Sequence, residues 1–241
     1  MNWTDEGIVL SARKHGESAA IVTLMTRENG RHAGLARGGS ASRDRGIYQI
    51  GNLVRVDWRA RLSEHLGSYN CELLQPNAAL LMNERLPLLA LSSATALVER
   101  LLPEREPHPD TFTTLSALIR VLRGDENWLP RYVEWELGLL NQLGYGLDLT
   151  MCAATGATED LVYVSPRTGC AVSKNAGAPY RKKLFDLPPF LKRDTPLPDP
   201  EDIRMGLRIT GHFLSRCAKD ADAALGMSVR KPFVYRLVCG F

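Results

Sequence analysis

The stretch Leu53-Val54-Arg55-Val56-Asp57-Trp58-Arg59-Ala60-Arg61 alternates without a break. Val54, Val56, Trp58 and Ala60 fall on one side, and Arg55, Asp57, Arg59 and Arg61 on the other. Successive side chains of a strand point to opposite faces, so 53–61 reads as a strand with an apolar face and an arginine-lined face. The apolar side places Trp58 in a core.

Other short strands surround it. Glu6 to Ala12 and Ala19 to Thr26 are apolar or β-branched runs separated by the polar turn His15-Gly16-Glu17, and Arg31 to Ala36 is a third, weaker one. Downstream, Tyr69, Cys71 and Leu73 alternate with Ser68, Asn70 and Glu72. Between the third strand and 53–61 lies Arg37-Gly-Gly-Ser-Ala-Ser-Arg-Asp-Arg-Gly46, rich in turn residues and charge and without periodicity, hence a loop. Five short strands in some 75 residues point to a small closed or partly closed barrel.

Near Pro76 the period changes. Leu86, Ala90, Ala94, Leu97 and Leu101 share one helical face, as do Phe112, Leu115, Ile119 and Leu122 after a break at 103–109. A third helix runs from about Trp128 to Leu143, with Gly144 placed to end it. Short connections between amphipathic helices predict a bundle. Residues 148–198 interrupt the pattern with Cys152, a strand at Leu161–Val164, the turn Ser165-Pro-Arg-Thr-Gly169 and many prolines. Asp199 before Pro200 and Glu201 is an N-cap signature for a helix over 201–217, and a last helix is expected near 229–238. The chain is thus expected to be α+β, with a barrel domain at 1–77 and a helical domain at 78–241 interrupted at about 148–198.

The most apolar window, Leu86 to Val98, is broken by Pro87 and is too short to cross a bilayer. No signal-peptide pattern opens the chain, so a soluble, cytoplasmic protein is expected. The five cysteines are scattered and read as free thiols, not a disulfide framework. No phosphate-binding glycine loop, His-Glu-x-x-His or Gly-x-Ser-x-Gly is present, and the five histidines stand apart from one another. No enzyme activity is expected. Cys152-Ala-Ala-Thr155 and Cys170-Ala-Val-Ser173 look like Cys-x-x-Cys knuckles whose second cysteine has become a hydroxyl residue. Structural zinc needs four thiolate or imidazole ligands, so no metal or other cofactor is expected; Cys152 and Cys170 are the only candidates.

Charge is local. From Arg27 to Arg61 eight arginines face three carboxylates, a net +5 that exceeds the +3 of the whole chain. The arginines of 55–61 form a stripe on one face, the loop adds Arg37, Arg43 and Arg45, and Tyr48 and Trp3 could stack bases. A basic groove with aromatic platforms on a small barrel suits sequence-tolerant binding of single-stranded nucleic acid. Residue pattern alone also allows an RNA-binding barrel protein, or a non-catalytic helical adaptor whose arginines are plain surface.

The chain also resembles the RecO family of DNA repair proteins. The similarity lies in Asp5-Glu-Gly-Ile-Val-Leu10, in Gly34-Leu-Ala-Arg-Gly38 leading to Trp58-Arg-Ala-Arg-Leu-Ser-Glu-His-Leu-Gly67, and in Leu139-Leu-Asn-Gln-Leu-Gly-Tyr-Gly146. The resemblance implies an N-terminal OB-fold, a C-terminal helical domain and a zinc-ribbon-like insertion, here degenerate at Thr155 and Ser173. It implies a recombination mediator that binds and anneals single-stranded DNA. The partners it implies are RecR, the acidic C-terminal tail of single-stranded-DNA-binding protein (SSB) and, indirectly, RecA. The DNA role falls on Arg37, Arg43, Arg45, Arg55, Arg59 and Arg61, with Lys14 beside them. Arg204 and Arg208, four residues apart on one helical face, are candidates for an acidic partner tail.

Overall fold

The computed structural model describes residues 1–39, 45–192, 197–220 and 224–239. Five strands, β1 (Asn2–His15), β2 (Ala19–Thr26), β3 (Arg31–Ala36), β4 (Leu53–Arg59) and β5 (Ser68–Gln75), close into a barrel in the order β1-β2-β3-β5-β4. All neighbours are antiparallel except β3 and β5, which meet through Leu35↔Ser68 and Ala36↔Tyr69. Val9, Val22, Leu24, Val54, Val56 and Trp58 fill the interior. The five-stranded barrel read from the sequence is therefore the observed one.

Two strand limits differ from expectation. β1 starts at Asn2, not Glu6, because its first half pairs with β4 and its second half with β2, with an irregularity between Val9 and Ser11. Its polar opening is stabilised from outside: the buried Asp5 carboxylate accepts the amides of Glu6 and Glu28 and the Asn29 side chain. β4 ends at Arg59. Ala60 still pairs with the first residue, its N–H donating to the Met1 carbonyl at 3.0 Å, and the chain then bends at Arg61. At Gly34 the backbone meets the Tyr69 ring so closely that a Cβ would lie 2.7 Å from it; only glycine fits there.

Helices follow: α1 (Asn77–Leu80), α2 (Arg85–Leu101), α3 (Pro109–Leu122) and α4 (Trp128–Gln142). Gly144 adopts φ 80° after α4, and the Tyr145 amide reaches back to the Leu140 carbonyl at 2.8 Å, a Schellman ending. The interrupted region is a small sheet of β6 (Leu161–Val164), β7 (Ala171–Ser173) and β8 (Phe185–Asp186) in the order β7-β6-β8, with α5 (Lys174–Gly177) and two 3-10 turns. α6 (Pro200–Asp220) opens with a reciprocal cap, since the Asp202 amide donates to Asp199 Oδ1 at 2.8 Å and the Asp199 amide to Asp202 Oδ2 at 3.3 Å. α7 (Ala224–Cys239) is last. Among the described residues no helix is long and apolar enough to cross a membrane.

Contacts divide the chain into two compact units. One comprises Met1–Asp125 with Leu225–Arg236, so α2 and α3 share a unit with the barrel. Within it Ser11 donates to Glu99 at 2.5 Å, and Arg31 Nε to the Leu102 carbonyl at 2.8 Å. The other runs over Glu126–Ala224 with the residues from Leu237 on. There α4 packs on α6, and the Thr210 hydroxyl donates to the fully buried Glu136 carboxylate at 2.5 Å.

Candidate nucleic-acid interface

The pleat of β4 sends Arg55 and Arg59 to solvent and buries Val54, Val56 and Trp58. The register then fixes what flanks each outward residue. Arg55 lies between Glu6 of β1 and Glu72 of β5; Asp57 between Thr4 and Asn70; Arg59 between Asn2 and Ser68. The Arg55 guanidinium is 3.7 Å from the Glu72 carboxylate, and Asp57 accepts the Thr4 hydroxyl at 2.6 Å. The stripe is therefore electrostatically uneven, with its Arg55 end partly compensated and its Arg59 end free of flanking carboxylates other than Asp57. Arg61 was expected on the strand face; it lies beyond the strand, exposed at a bend, because the ladder ends at Arg59.

The parallel β3–β5 seam carries Arg37, the residue after β3, to the Arg59 end. Arg37 and Arg59 line a polar cavity of about 440 Å³ with Asp57, Ser68, Tyr69 and Asn70. Lys14 and Arg45 border a different cavity, of about 600 Å³, whose walls include Ala12, Ala20, Tyr48 and Ile50. Arg43 lies outside the described residues. The structure thus gathers Arg37, Arg55 and Arg59 on one side of the barrel and gives Lys14 and Arg45 a cavity of their own.

The two aromatic residues expected to stack bases do not stand free. Tyr48 is buried in the barrel core, and Trp3 stacks on Trp58 with centroids 5.5 Å apart and planes 19° apart. The apolar demand of a small barrel draws them inward. His32, also buried, shares a hydrogen bond of 2.9 Å with the Tyr69 hydroxyl. Burial, with the Arg105 guanidinium second, pushes its pKa down to about 4, so the ring is neutral near pH 7.

A third basic group was missed. Phe112, Ser116 and Arg120 lie along one face of α3, Arg123 follows at its C-terminal end, and with Arg27, Gln75 and Asn77 they line a cavity of about 410 Å³. The signal was the spacing of four, four and three residues, hidden behind the stronger apolar pattern of the same helix.

In the other unit, Arg204 is committed to Glu201 at 2.9 Å within α6, while the exposed Arg208 lies 5.5 Å over the Phe185 ring. They remain on one helix, but only Arg208 presents itself outward.

The degenerate knuckles are brought together by the small sheet. Ser173 donates its amide to Cys152 Sγ at 3.3 Å, and its hydroxyl is 3.5 Å from the same sulfur. The Ser173 hydroxyl, then the Thr155 hydroxyl, then the Ser173 amide pull the buried Cys152 thiol down to about 6. Cys170 Sγ is directed instead at the Thr168 carbonyl, 3.8 Å away. Two thiols and two hydroxyls do not fit a tetrahedral zinc site, and among the described residues no group of three or more His, Cys, Asp or Glu is poised to hold a metal.

Comparison with known proteins places these features in a family. Residues 1–77 match the family described as "Recombination protein O N terminal", and residues 82–219 the one described as "Recombination protein O C terminal". The chain is 53% identical over 218 residues to the DNA repair protein RecO of Rhodospirillum centenum, covering 90% of this chain and 86% of that one. It is 46% identical over 238 residues to the DNA repair protein RecO of Mesorhizobium japonicum, covering 98% and 94%. The RecO protein of Caulobacter vibrioides is 49% identical over 216 residues, covering 90% of this chain and 89% of its own.

Proposed function

The chain belongs to the RecO family of DNA repair proteins, and from that premise we propose that it binds and anneals single-stranded DNA through the outer face of β4. The observation that carries the proposal is the convergence of Arg37 and Arg59 on one polar cavity, with Arg55 exposed on the same strand. Guanidinium groups grip phosphate oxygens bidentately, and such contacts do not depend on base identity. Tyr48 and Trp3 are packed in the barrel, so affinity rests on phosphates more than on stacking. Lys14 and Arg45, which line a cavity of their own, offer a further anchor.

The protein works as a mediator without bond-breaking chemistry. Together with RecR and the acidic tail of SSB, it loads the RecA recombinase onto coated DNA in the cytoplasm, and Arg208 is the better placed of the two α6 candidates for an acidic tail. This part of the proposal rests on family membership. Zinc has no part in it, since the Cys152 and Cys170 region lacks a competent ligand set.

The test is fluorescence anisotropy of labelled single-stranded DNA and of RNA of the same sequence across a salt series. Binding to DNA should weaken steeply as salt rises, with log affinity falling linearly in log salt. A consistent preference for RNA, or no binding at low salt, would overturn the proposal.

A further inference from the structure

We infer that the nucleic-acid track does not end on the barrel but continues into the cavity under α3, where Arg27, Arg120 and Arg123 hold a backbone phosphate. The inference rests on the reading of the β4 face as a nucleic-acid surface.

Three guanidinium groups and one carboxylate, Glu6, line this cavity. Glu6 is engaged by Arg27 at 2.6 Å, and the Arg27 guanidinium also lies 4.6 Å from the centre of the Phe112 ring. Arg123 donates to Asn77 Oδ1 at 3.0 Å. Two of the three cations are thus positioned by the protein before any ligand arrives. Arg120 is exposed, and its guanidinium has no hydrogen-bond or ion-pair partner among the described residues. The cavity keeps an excess of positive charge, with Gln75 and Ser116 as neutral polar neighbours. An oxyanion is the ligand such a lining recognises.

Continuity with the barrel face identifies the oxyanion as a phosphodiester. Leu53, the first residue of β4, lines the α3 cavity, and Arg59, the last, lines the polar cavity with Arg37. Arg55 stands on the outer face between them. At about 3.3 Å per residue the two ends of β4 are about 20 Å apart, a span that suits a single strand covering one OB-fold site. Along that line six arginines (27, 37, 55, 59, 120 and 123) meet three carboxylates (Glu6, Asp57 and Glu72), so the whole path is net positive.

The experiment measures anisotropy of a labelled oligothymidylate of about 16 nucleotides, the upper limit for one OB-fold. Wild type is compared with Arg120→Gln, with Arg120→Gln/Arg123→Gln, and with Arg55→Glu/Arg59→Glu/Arg61→Glu. Each lost phosphate contact should lower the log–log salt slope by about 0.7, so the double variant should lose about 1.4. Arg120→Gln removes no protein hydrogen bond, so its loss of about 0.7 carries the test even if Arg123→Gln perturbs folding. Wild-type affinity and slope in both glutamine variants, with binding lost in the triple variant, would overturn the inference and leave the proposed function standing. Wild-type binding in the triple variant would overturn both. Polyglutamate that competes with DNA in wild type but not in the double variant would mark the cavity as a site for acidic protein chains and overturn the phosphate assignment.

Discussion

The outer face of β4 and the segment from Cys152 to Ser173 each gather residues of one chemistry, and the fold treats them in opposite ways. On β4 the charged side chains are turned outward, and their neighbours neutralise them only in part. Around Cys152 the thiol is turned inward, and hydrogen bonds with Ser173 and Thr155 engage it. One region leaves its charged groups facing solvent; the other pairs its thiol within the chain. Residue type alone does not separate the two regions. The separation lies in which groups the fold leaves facing solvent.

The largest effect expected from breaking this contrast is on the open region. Changing Arg55, Arg59 and Arg61 together to glutamate should weaken single-stranded DNA binding by at least about a hundredfold at low salt, by reversing three charges beside the phosphates. Circular dichroism should show the barrel intact, because all three side chains are exposed. Among the single changes Arg59→Glu should cost more than Arg55→Glu, whose charge Glu72 already offsets. Equal effects would remove the proposed unevenness of the face.

The closed region gives the next prediction. Purified protein should contain less than one equivalent of zinc by elemental analysis, and a chelator should leave its melting temperature unchanged. Thr155→Cys with Ser173→Cys restores four thiols and should raise zinc to one equivalent, with a chelator-sensitive melting temperature. Stoichiometric zinc in the wild type would mean that the hydroxyls have not displaced the metal.

The smallest effects come from titration, and they occupy different pH windows. His32 in the barrel has its pKa lowered from 6.5 to about 4. Between those values the unfolded chain binds the extra proton and the folded one does not, so stability falls as pH drops from 6.5 towards 4, by up to about 1.4 kcal/mol per pH unit. Cys152 has its thiol lowered from 9 to about 6. Its contribution is complete above pH 9 and is lost as pH falls through 6. Thermal melts from pH 4 to 9 should show both slopes. His32→Gln should flatten only the acidic one, while Ser173→Ala should move the thiolate ultraviolet transition of Cys152 upward. A thiolate transition left in place by Ser173→Ala would deny the hydroxyl its role.

Much of the barrel was legible because its strands are governed by local alternation. Ala19–Thr26, Arg31–Ala36 and Leu161–Val164 appear with the limits their residues suggested. The start of β1 was not legible, because Asp5 is acceptable in a strand only through donors from Glu28 and Asn29, which lie far along the chain. The candidate site was legible in its residue types and less so in its arrangement. Alternation correctly turned Arg55 and Arg59 outward, yet nothing local revealed that Glu6 and Glu72 flank Arg55 or that the ladder stops before Arg61. Tyr48 and Trp3 were misplaced for a similar reason, since the barrel interior took up side chains that their neighbours in sequence left free. The α3 cavity needed five separate segments, and no single stretch announces it.

The pairing of β4 with both β1 and β5 gives its arginines a second use. Strand faces have a parity, and sliding β4 by one residue would exchange odd positions for even ones. Arg55, Asp57 and Arg59 would then enter the barrel interior while Val54, Val56 and Trp58 met water. Burying two guanidinium groups and a carboxylate without matched partners costs far more than any mispaired ladder could return. The charges that nucleic acid would meet thus act as an error check on assembly, admitting only the alignment in which they are displayed.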